Sequence, residues 1–521
     1  MSDFSSDSQF ESGDSDAIQR GESDDMMHAH EAAPEACPET GRGAAPDGRA
    51  VRNSKGPRRN EVVELEVERL IYGGQGLARY EGMVVFLDRV APGDRVRARI
   101  TKRKRSHAEA VVEEIVVPGP GRREAPCESF GRCGGCAWQH LDDATQTAVK
   151  AEQVRESLER LGGLRDMPEG FFRPAVAAPA PFHYRNKLDY SFGFDQHYEP
   201  AVGFHLRGDF RRVVAIPRCH IHPQEYDGLL GALRGWMAEY PEELEPYHKT
   251  RHTGYLRTFV IRKSEATGES LAMILTNGGS SLPGGGAEGL MKRLQVALPG
   301  LVGLVHGVNT GLADFQNIEA IADRCGRDWF IETLGETRFQ VSIQSFFQTN
   351  TRAAELLYDV VRREAKLTPE SVLLDAYCGT GSIGIFCGSH VAQLYGIEIV
   401  ESAVEDARRN SALNGLGERA IFWAGDIRDR LPDLHEHLGG RRLTHLVIDP
   451  PRGGMHKKAL ADLLHLRAPR LVYVSCNPTT LARDAQQILE AGYVAESVTP
   501  VDIFPQTYHV EAVMPFRLSG D

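Results

Sequence analysis

The sequence predicts an α/β chain. A tail at residues 1–60 precedes an OB-like β-barrel at 61–118, a central α+β domain at 119–340, and a seven-stranded Rossmann-like sheet at 341–521. Three observations carry this. From Val341 onward, short apolar runs alternate with helical stretches, as in a parallel sheet covered by crossover helices. The run at 372–375 breaks into Cys378-Gly379-Thr380-Gly381, a glycine turn that opens a helix, and the next run ends in an acid, Glu398. Between 61 and 118, alternation of apolar and polar residues is punctuated by turn glycines and by Pro92-Gly93-Asp94, which suits a small barrel.

Composition narrows the class. The chain has 521 residues, 41% of them hydrophobic, enough for several cores. No run of about eighteen apolar residues occurs, so no membrane span is expected. No basic stretch leads into an apolar one at the N-terminus, so no secretory signal is expected, and the expected compartment is cytoplasmic. Nine cysteines are too few and too scattered for a disulfide scaffold, so clustered ones point to metal or catalysis. The formal charge of −12 is uneven: an acidic first fifty residues stand beside a basic stretch at 51–123. That asymmetry permits a nucleic-acid partner.

Residues 1–60, rich in Ser, Asp, Glu, Gly and Pro, cannot bury enough surface to offset ordering entropy and are expected to be disordered, ending in the basic arm Arg52, Lys55, Arg58 and Arg59. In the barrel, strands are expected at 61–71, 83–87 and 95–100, with turn glycines at Tyr72-Gly73-Gly74-Gln75-Gly76. Arg95, Arg97 and Arg99 fall two apart, on one face of a strand, and Lys102 to Arg105 extend them, a basic face suited to phosphates. The barrel is expected to dock RNA, apart from any chemistry beyond residue 340.

Cys127, Cys133 and Cys136 follow within ten residues, with glycines between the last two. Zinc and iron–sulfur clusters both take thiolates and usually want four. Cys219, in Pro217-Arg218-Cys219-His220-Ile221-His222, is the candidate fourth. Spacing supports a metal and leaves the choice open. In the central domain, a helix is expected at 150–161 and strands at 257–262, 271–276 and 301–309. Phe182-His183-Tyr184-Arg185-Asn186-Lys187 reads equally as a base-stacking segment or as an exposed basic turn.

In the C-terminal part, a helix at 353–366 follows Asn350 or Thr351 as N-cap. Strands are expected at 372–375, 393–398, 419–425, 446–449, 471–474, 498–504 and 511–516. Glu398 suits a ribose diol. The glycine spacing is not that of dinucleotide binders, and the Asp449-Pro450-Pro451-Arg452 turn is not one of their features, so S-adenosylmethionine is preferred to NAD and the fold to that of class I methyltransferases. Cys476 lies where a strand meets a loop, because Pro478 biases Asn477 away from helix. A soft nucleophile at the carboxyl end of a strand is a candidate for covalent chemistry, against the ordinary reading of a small buried hydrophobe.

Several motifs coincide in one order: Ser345-Phe346-Phe347-Gln348-x-Asn350, Asp375-x-Tyr377-Cys378-Gly379-x-Gly381, Asp449-Pro450-Pro451-Arg452, Ser475-Cys476-Asn477-Pro478 and Phe504-Pro505-Gln506-Thr507-x-His509-Val510-Glu511. Together they resemble the RNA 5-methyluridine methyltransferases, and the barrel with its cysteines resembles the branch carrying a TRAM domain and a [4Fe–4S] cluster. The resemblance covers about residues 61–521. It implies that Gln348, Tyr377, Glu398 and Asp449 contact S-adenosylmethionine. Ser382 stands where members often have Asn, and Asp426 where Asn or Asp occurs. Cys476 matches the nucleophile and Glu511 the base that removes the C5 proton. Cys127, Cys133, Cys136 and Cys219 match the cluster ligands, with folding support or RNA contact as the cluster's expected role. The implied substrate is structured RNA, 23S rRNA favoured over tRNA, and the implied state a monomer. Two other readings stand beside it: an amino-group RNA methyltransferase, which would not need Cys476 or Glu511, and a catalytically idle RNA-binding or assembly factor.

Overall fold

The computed structural model describes residues 56–312 and 318–520. The tail predicted at 1–60 lies outside the described residues up to residue 55. Val62–Leu70, Gly76–Tyr80, Met83–Leu87, Arg95–Arg103 and His107–Val117 close into a five-stranded barrel in the order first, second, third, fifth, fourth. Inward positions alternate, as at Val63, Leu65 and Val67, and the core continues past the barrel into Trp138 and Leu141. The Pro-Gly-Asp turn is pinned from outside: buried Asp94 accepts from Arg122 Nη2 at 2.6 Å and from the Gly119 N–H at 2.8 Å.

The central sheet has seven strands, ordered Ala320–Gly326, Leu301–Val308, Ser270–Thr276, Leu256–Lys263, Lys187–Phe194, Pro200–Leu206 and Asp209–Val214. Helices Asp227–Glu239 and Gly286–Ala297 pack on each other beside it. A hairpin, Trp329–Leu334 with Thr337–Ser342, leads into the C-terminal part.

There the sheet has eight strands where seven were predicted. Its main path runs Ala420–Ala424, Gln393–Glu398, Val372–Ala376, His445–Ile448, Arg470–Ser475, Glu511–Leu518, Tyr493–Ala495. In place of the strand expected at 498–504, Tyr493–Ala495 and Thr499–Val501 both pair with Glu511–Leu518. The break has a cause outside the sheet's own sequence. Residues 171–176 run alongside, with the Val498 N–H donating to Phe171 O at 2.8 Å and the Val176 N–H to Pro500 O at 2.9 Å. Helix Asp143–Arg160 packs on helix Pro478–Glu490, and Val154, Leu158 and Phe171 share a core with the C-terminal sheet, so packing crosses the predicted boundary at 340. Lys150, fully buried, meets Asp502 at 2.6 Å across that contact. Among the described residues no helix is long and apolar enough to cross a membrane.

Candidate active site at the carboxyl ends of the parallel strands

The site is assembled at one end of the C-terminal sheet. Tyr377 follows Val372–Ala376, Glu398 ends Gln393–Glu398, Asp449 follows His445–Ile448 and Cys476 follows Arg470–Ser475. Glu511–Leu518 runs antiparallel, and its register, Ser475 opposite Ala512, sets Glu511 beside Cys476. Residues 35 apart in sequence therefore share one strand end.

Local hydrogen bonds fix the Cys476 loop. Asn477 caps helix Pro478–Glu490 by accepting from the Thr479 N–H, and its own N–H donates to Ser475 Oγ at 3.1 Å. Its amide donates to Arg452 O at 3.3 Å, tying the loop to the Asp-Pro-Pro-Arg turn. The electrostatics are tense. Burial first, then the Asp449 carboxylate, push Glu511 up to about 8, with Arg452 pulling it down. Burial alone pushes Asp449 up to about 7. The Cys476 thiol is raised far above its ordinary value, by burial and then by Glu511 and Asp449, with Arg452 opposing. Arg452 is thus the cation facing both predicted catalytic groups. The sequence displayed it in the Asp-Pro-Pro-Arg turn, yet only Asp449 there received a role.

The neighbouring strand ends offer a cofactor cradle. Tyr377 holds a left-handed φ of 65°, a conformation uncommon for a residue other than glycine. A Cβ on Gly379 would meet nothing within 4 Å, so the backbone there faces open space. Glu398 accepts from the Gly379 N–H at 3.1 Å and the Val400 N–H at 2.9 Å, holding the turn to the second strand. Asp375 is pushed up to about 8 by burial, and one of its oxygens accepts from the Gly384 N–H at 2.8 Å. Gln348 is buried, and its side-chain carbonyl has no protein partner. A buried polar oxygen without a protein partner fits contact with a polar ligand such as S-adenosylmethionine.

Two of the predicted contacts are committed elsewhere as well. Ser382 Oγ lies 2.9 Å from Tyr358 Oη, and Asp426, exposed, caps helix Ile427–Leu438 by accepting from the Arg428 N–H. The segment 182–187 proves to be a brace. Tyr184, Arg185, Asn186 and Lys187 are buried, Asn186 donates to Gln348 O at 3.1 Å, and Tyr184 Oη donates to Pro505 O at 2.9 Å.

Cys127, Cys133, Cys136 and Cys219 line one pocket with Phe130, Phe204 and Ile216. Burial raises all four thiols, Cys133 to about 11 and Cys219 to about 12. They are free of disulfides. Four thiols around a single pocket suit a four-thiolate group. Among the described residues, however, no group of three or more His, Cys, Asp or Glu is arranged to hold a metal ion. The set is not remote from Glu511. Immediately after Cys136, the Ala137 and Trp138 N–H groups both donate to Gln506 O at 2.9 Å, five residues before Glu511.

The arginines of the barrel do share an outer face, but each faces a glutamate. Arg95 lies 3.7 Å from Glu64, Arg97 2.5 Å from Glu114, and Arg99 pairs with Glu113. Cross-strand pairing therefore offsets the charge that the sequence reading assigned to phosphates.

A sheet whose main path runs third, second, first, fourth, fifth, eighth, sixth in chain sequence, the short seventh strand also pairing with the eighth, with a glycine turn after its first strand, an acid ending its second and a reversed final strand, is that of a class I S-adenosylmethionine-dependent methyltransferase. The family model described as tRNA (Uracil-5-)-methyltransferase matches residues 332–517, and the TRAM domain model matches 58–112. A protein of Chlorobaculum tepidum named an uncharacterized RNA methyltransferase is 39% identical over 88% of this chain and 97% of its own length. Another so named, from Caldanaerobacter subterraneus, is 36% identical over 87% of this chain and 98% of its own. The solved tRNA (uracil-54, C5)-methyltransferase of Pyrococcus abyssi, in complex with S-adenosyl-L-homocysteine, superposes with a TM-score of 0.68 at 24% identity, covering 87% of this chain and 99% of that one, a likeness of fold. The chain belongs to the TRAM-containing RNA (uracil-5-)-methyltransferase family, enzymes that use S-adenosylmethionine.

Proposed function

We propose that this enzyme methylates C5 of a uridine in structured RNA through a covalent adduct between Cys476 and C6, with 23S rRNA the favoured substrate and tRNA the other. The observation that carries the reading is the register that sets Cys476 beside Glu511, on the same sheet whose neighbouring strand ends carry Tyr377 and Glu398. C5 of uracil is a poor nucleophile until C6 carries an electron-rich addend. Cys476 Sγ, as thiolate, bonds to C6, and the displaced C5–C6 electron pair becomes an enolate. Asp449, raised by burial to about 7, can take up the thiol proton beforehand, which leaves Glu511 ionised for the later step. The Arg452 cation offsets the negative charge that the addition carries into the pocket. When bound, S-adenosylmethionine supplies an electrophilic methyl group. After C5 is methylated, Glu511 removes the C5 proton, its electron pair restores the double bond, and the C6–Sγ bond breaks to free Cys476.

Gln348, Tyr377, Ser382, Glu398, Asp426 and Asp449 are the residues proposed to hold the cofactor, with Ser382 and Asp426 sharing that task with their internal bonds. C6 is covered in a stacked helix, so the target uridine must be unpaired or turned out. Cys127, Cys133, Cys136 and Cys219 are proposed to hold one [4Fe–4S] cluster, on the strength of four thiols lining one pocket. The enzyme is proposed to act as a cytoplasmic monomer, with the barrel as an RNA-binding domain at 61–118.

The test is incubation with S-adenosylmethionine and unmodified 23S rRNA or tRNA transcripts, followed by nucleoside analysis. The same transcripts made with 5-fluorouridine are run on a denaturing gel. Expected are 5-methyluridine in one transcript and a retarded protein–RNA band. Methyl groups on adenine or guanine, or no retarded band, would overturn the covalent reading.

A further inference from the structure

We propose that Tyr72, from the glycine turn of the barrel, is a positioning residue for the Cys476 nucleophile and forms the rim over which the uridine enters. The inference rests on the covalent reading above. Tyr72 Oη donates to the backbone oxygen of Cys476 at 3.3 Å, across 404 residues of chain. Both residues are half-buried, so the contact sits at an opening. The Tyr72 ring meets Tyr508 edge-on at 6.2 Å, and Tyr508 packs on His509 at 4.4 Å, two residues before Glu511. The turn thus touches the chain at the nucleophile and at the loop leading into the base.

The turn itself is built for that approach. Gly74 has φ of 90°, and a Cβ on it would stand 3.0 Å from Tyr508 Cδ1 and 3.4 Å from Trp138 Nε1. Trp138 Nε1 donates to Gly74 O at 3.3 Å, fastening the turn to the segment that follows the cysteines. Gly73 has a similar φ of 95°, but a Cβ there would meet nothing within 4 Å. Of these two, Gly74 alone is needed for close packing. A barrel whose sole task was to dock RNA would not need its turn wedged against the catalytic loops.

The experiment uses the full chain and the 5-fluorouridine transcripts, following the single-turnover rate of adduct formation at saturating RNA. Tyr72→Phe keeps the ring and removes one hydrogen bond, so adduct formation slows about fivefold, while RNA affinity, S-adenosylhomocysteine binding and the thermal midpoint stay those of the wild type. Gly74→Ala slows it further, and more than Gly73→Ala, which strains the turn without touching Tyr508. A Tyr72→Phe enzyme that forms adduct at the wild-type rate, or loses only RNA affinity, would overturn the proposal. So would equal losses from the two glycine variants. Failure of the wild type to form any adduct would instead overturn the covalent reading beneath it.

Discussion

Glu511→Gln tests the base directly, and the structure supplies the expected magnitudes. Glu511 is buried at the strand end beside Cys476, and burial followed by the Asp449 carboxylate raises it to about 8. Only the ionised carboxylate can take the C5 proton. Roughly one-tenth of it is ionised at pH 7, half at pH 8 and nine-tenths at pH 9. Product release by the wild type should therefore rise about fivefold from pH 7 to 8 and less than twofold from 8 to 9. The Gln variant should methylate C5 and then stall, leaving a methylated adduct on a denaturing gel at every pH. Stability moves the opposite way. The folded value lies above the ordinary 4.5, so the contribution of Glu511 is whole below that pH and is lost as pH climbs to about 8. The neutral amide escapes this loss, and the variant should become the more stable protein above pH 8, by up to about 5 kcal/mol. Stopped-time gels and thermal midpoints across pH 5–9 measure both. Normal release by the variant, or a wild-type release rate flat from pH 7 to 9, would refute Glu511 as the base.

Cys476→Ala should abolish both methyl transfer and the adduct while S-adenosylhomocysteine still binds by calorimetry, since Gln348, Tyr377 and Glu398 are untouched. Anaerobically purified protein should show visible thiolate–iron absorption with four irons and four sulfides per chain by the composition of one [4Fe–4S] cluster; one zinc in a colourless protein would reassign the site, and Cys136→Ser should shift Trp138 fluorescence in either case. Replacing Arg95, Arg97 and Arg99 together by Gln should change the salt slope of RNA binding by less than roughly 0.7, the value for one single-strand phosphate contact, because each already pairs with a glutamate.

The sequence disclosed what short-range chemistry controls. The cap at Asn350, the strand 393–398, the glycine turn and the strand end at Cys476 were all readable, because capping atoms, positive φ and proline each act within a few residues. What could not be read depends on partners far along the chain. Strand Gly76–Tyr80 was hidden because its glycine begins a strand as well as ending a turn. The broken sixth strand answers to residues 171–176. The arginine face looked basic because Glu113 and Glu114 lie on the next strand. Tyr72 and Cys476, 404 residues apart, left no joint signature.

Gln506 shows how those distant partners bear on the proposed reaction. It is fully buried, yet holds a left-handed φ of 67°. Strain of this kind persists only when the surroundings over-determine it. Here the backbone oxygen accepts from Ala137 and Trp138, the backbone N–H donates to Gln146 Oε1 at 2.8 Å, and the side-chain oxygen accepts from Gln146 and Arg123. Most of these partners flank Cys136 or lie on the helix after it. The chain enters Glu511 from this anchor through Tyr508, which the barrel turn packs from the other side. Glu511, the proposed base, is thus placed by the cysteine segment, the helix at 143–160 and the barrel together, although none belongs to the C-terminal sheet. A methyltransferase sheet alone would supply the strand ends for Cys476 and the cofactor cradle, but not the anchor that sets where Glu511 begins. That dependence gives the cysteine pocket a physical route to the proposed base: what alters the path of the chain at Cys136 alters the donors to Gln506, and through it the approach to Glu511.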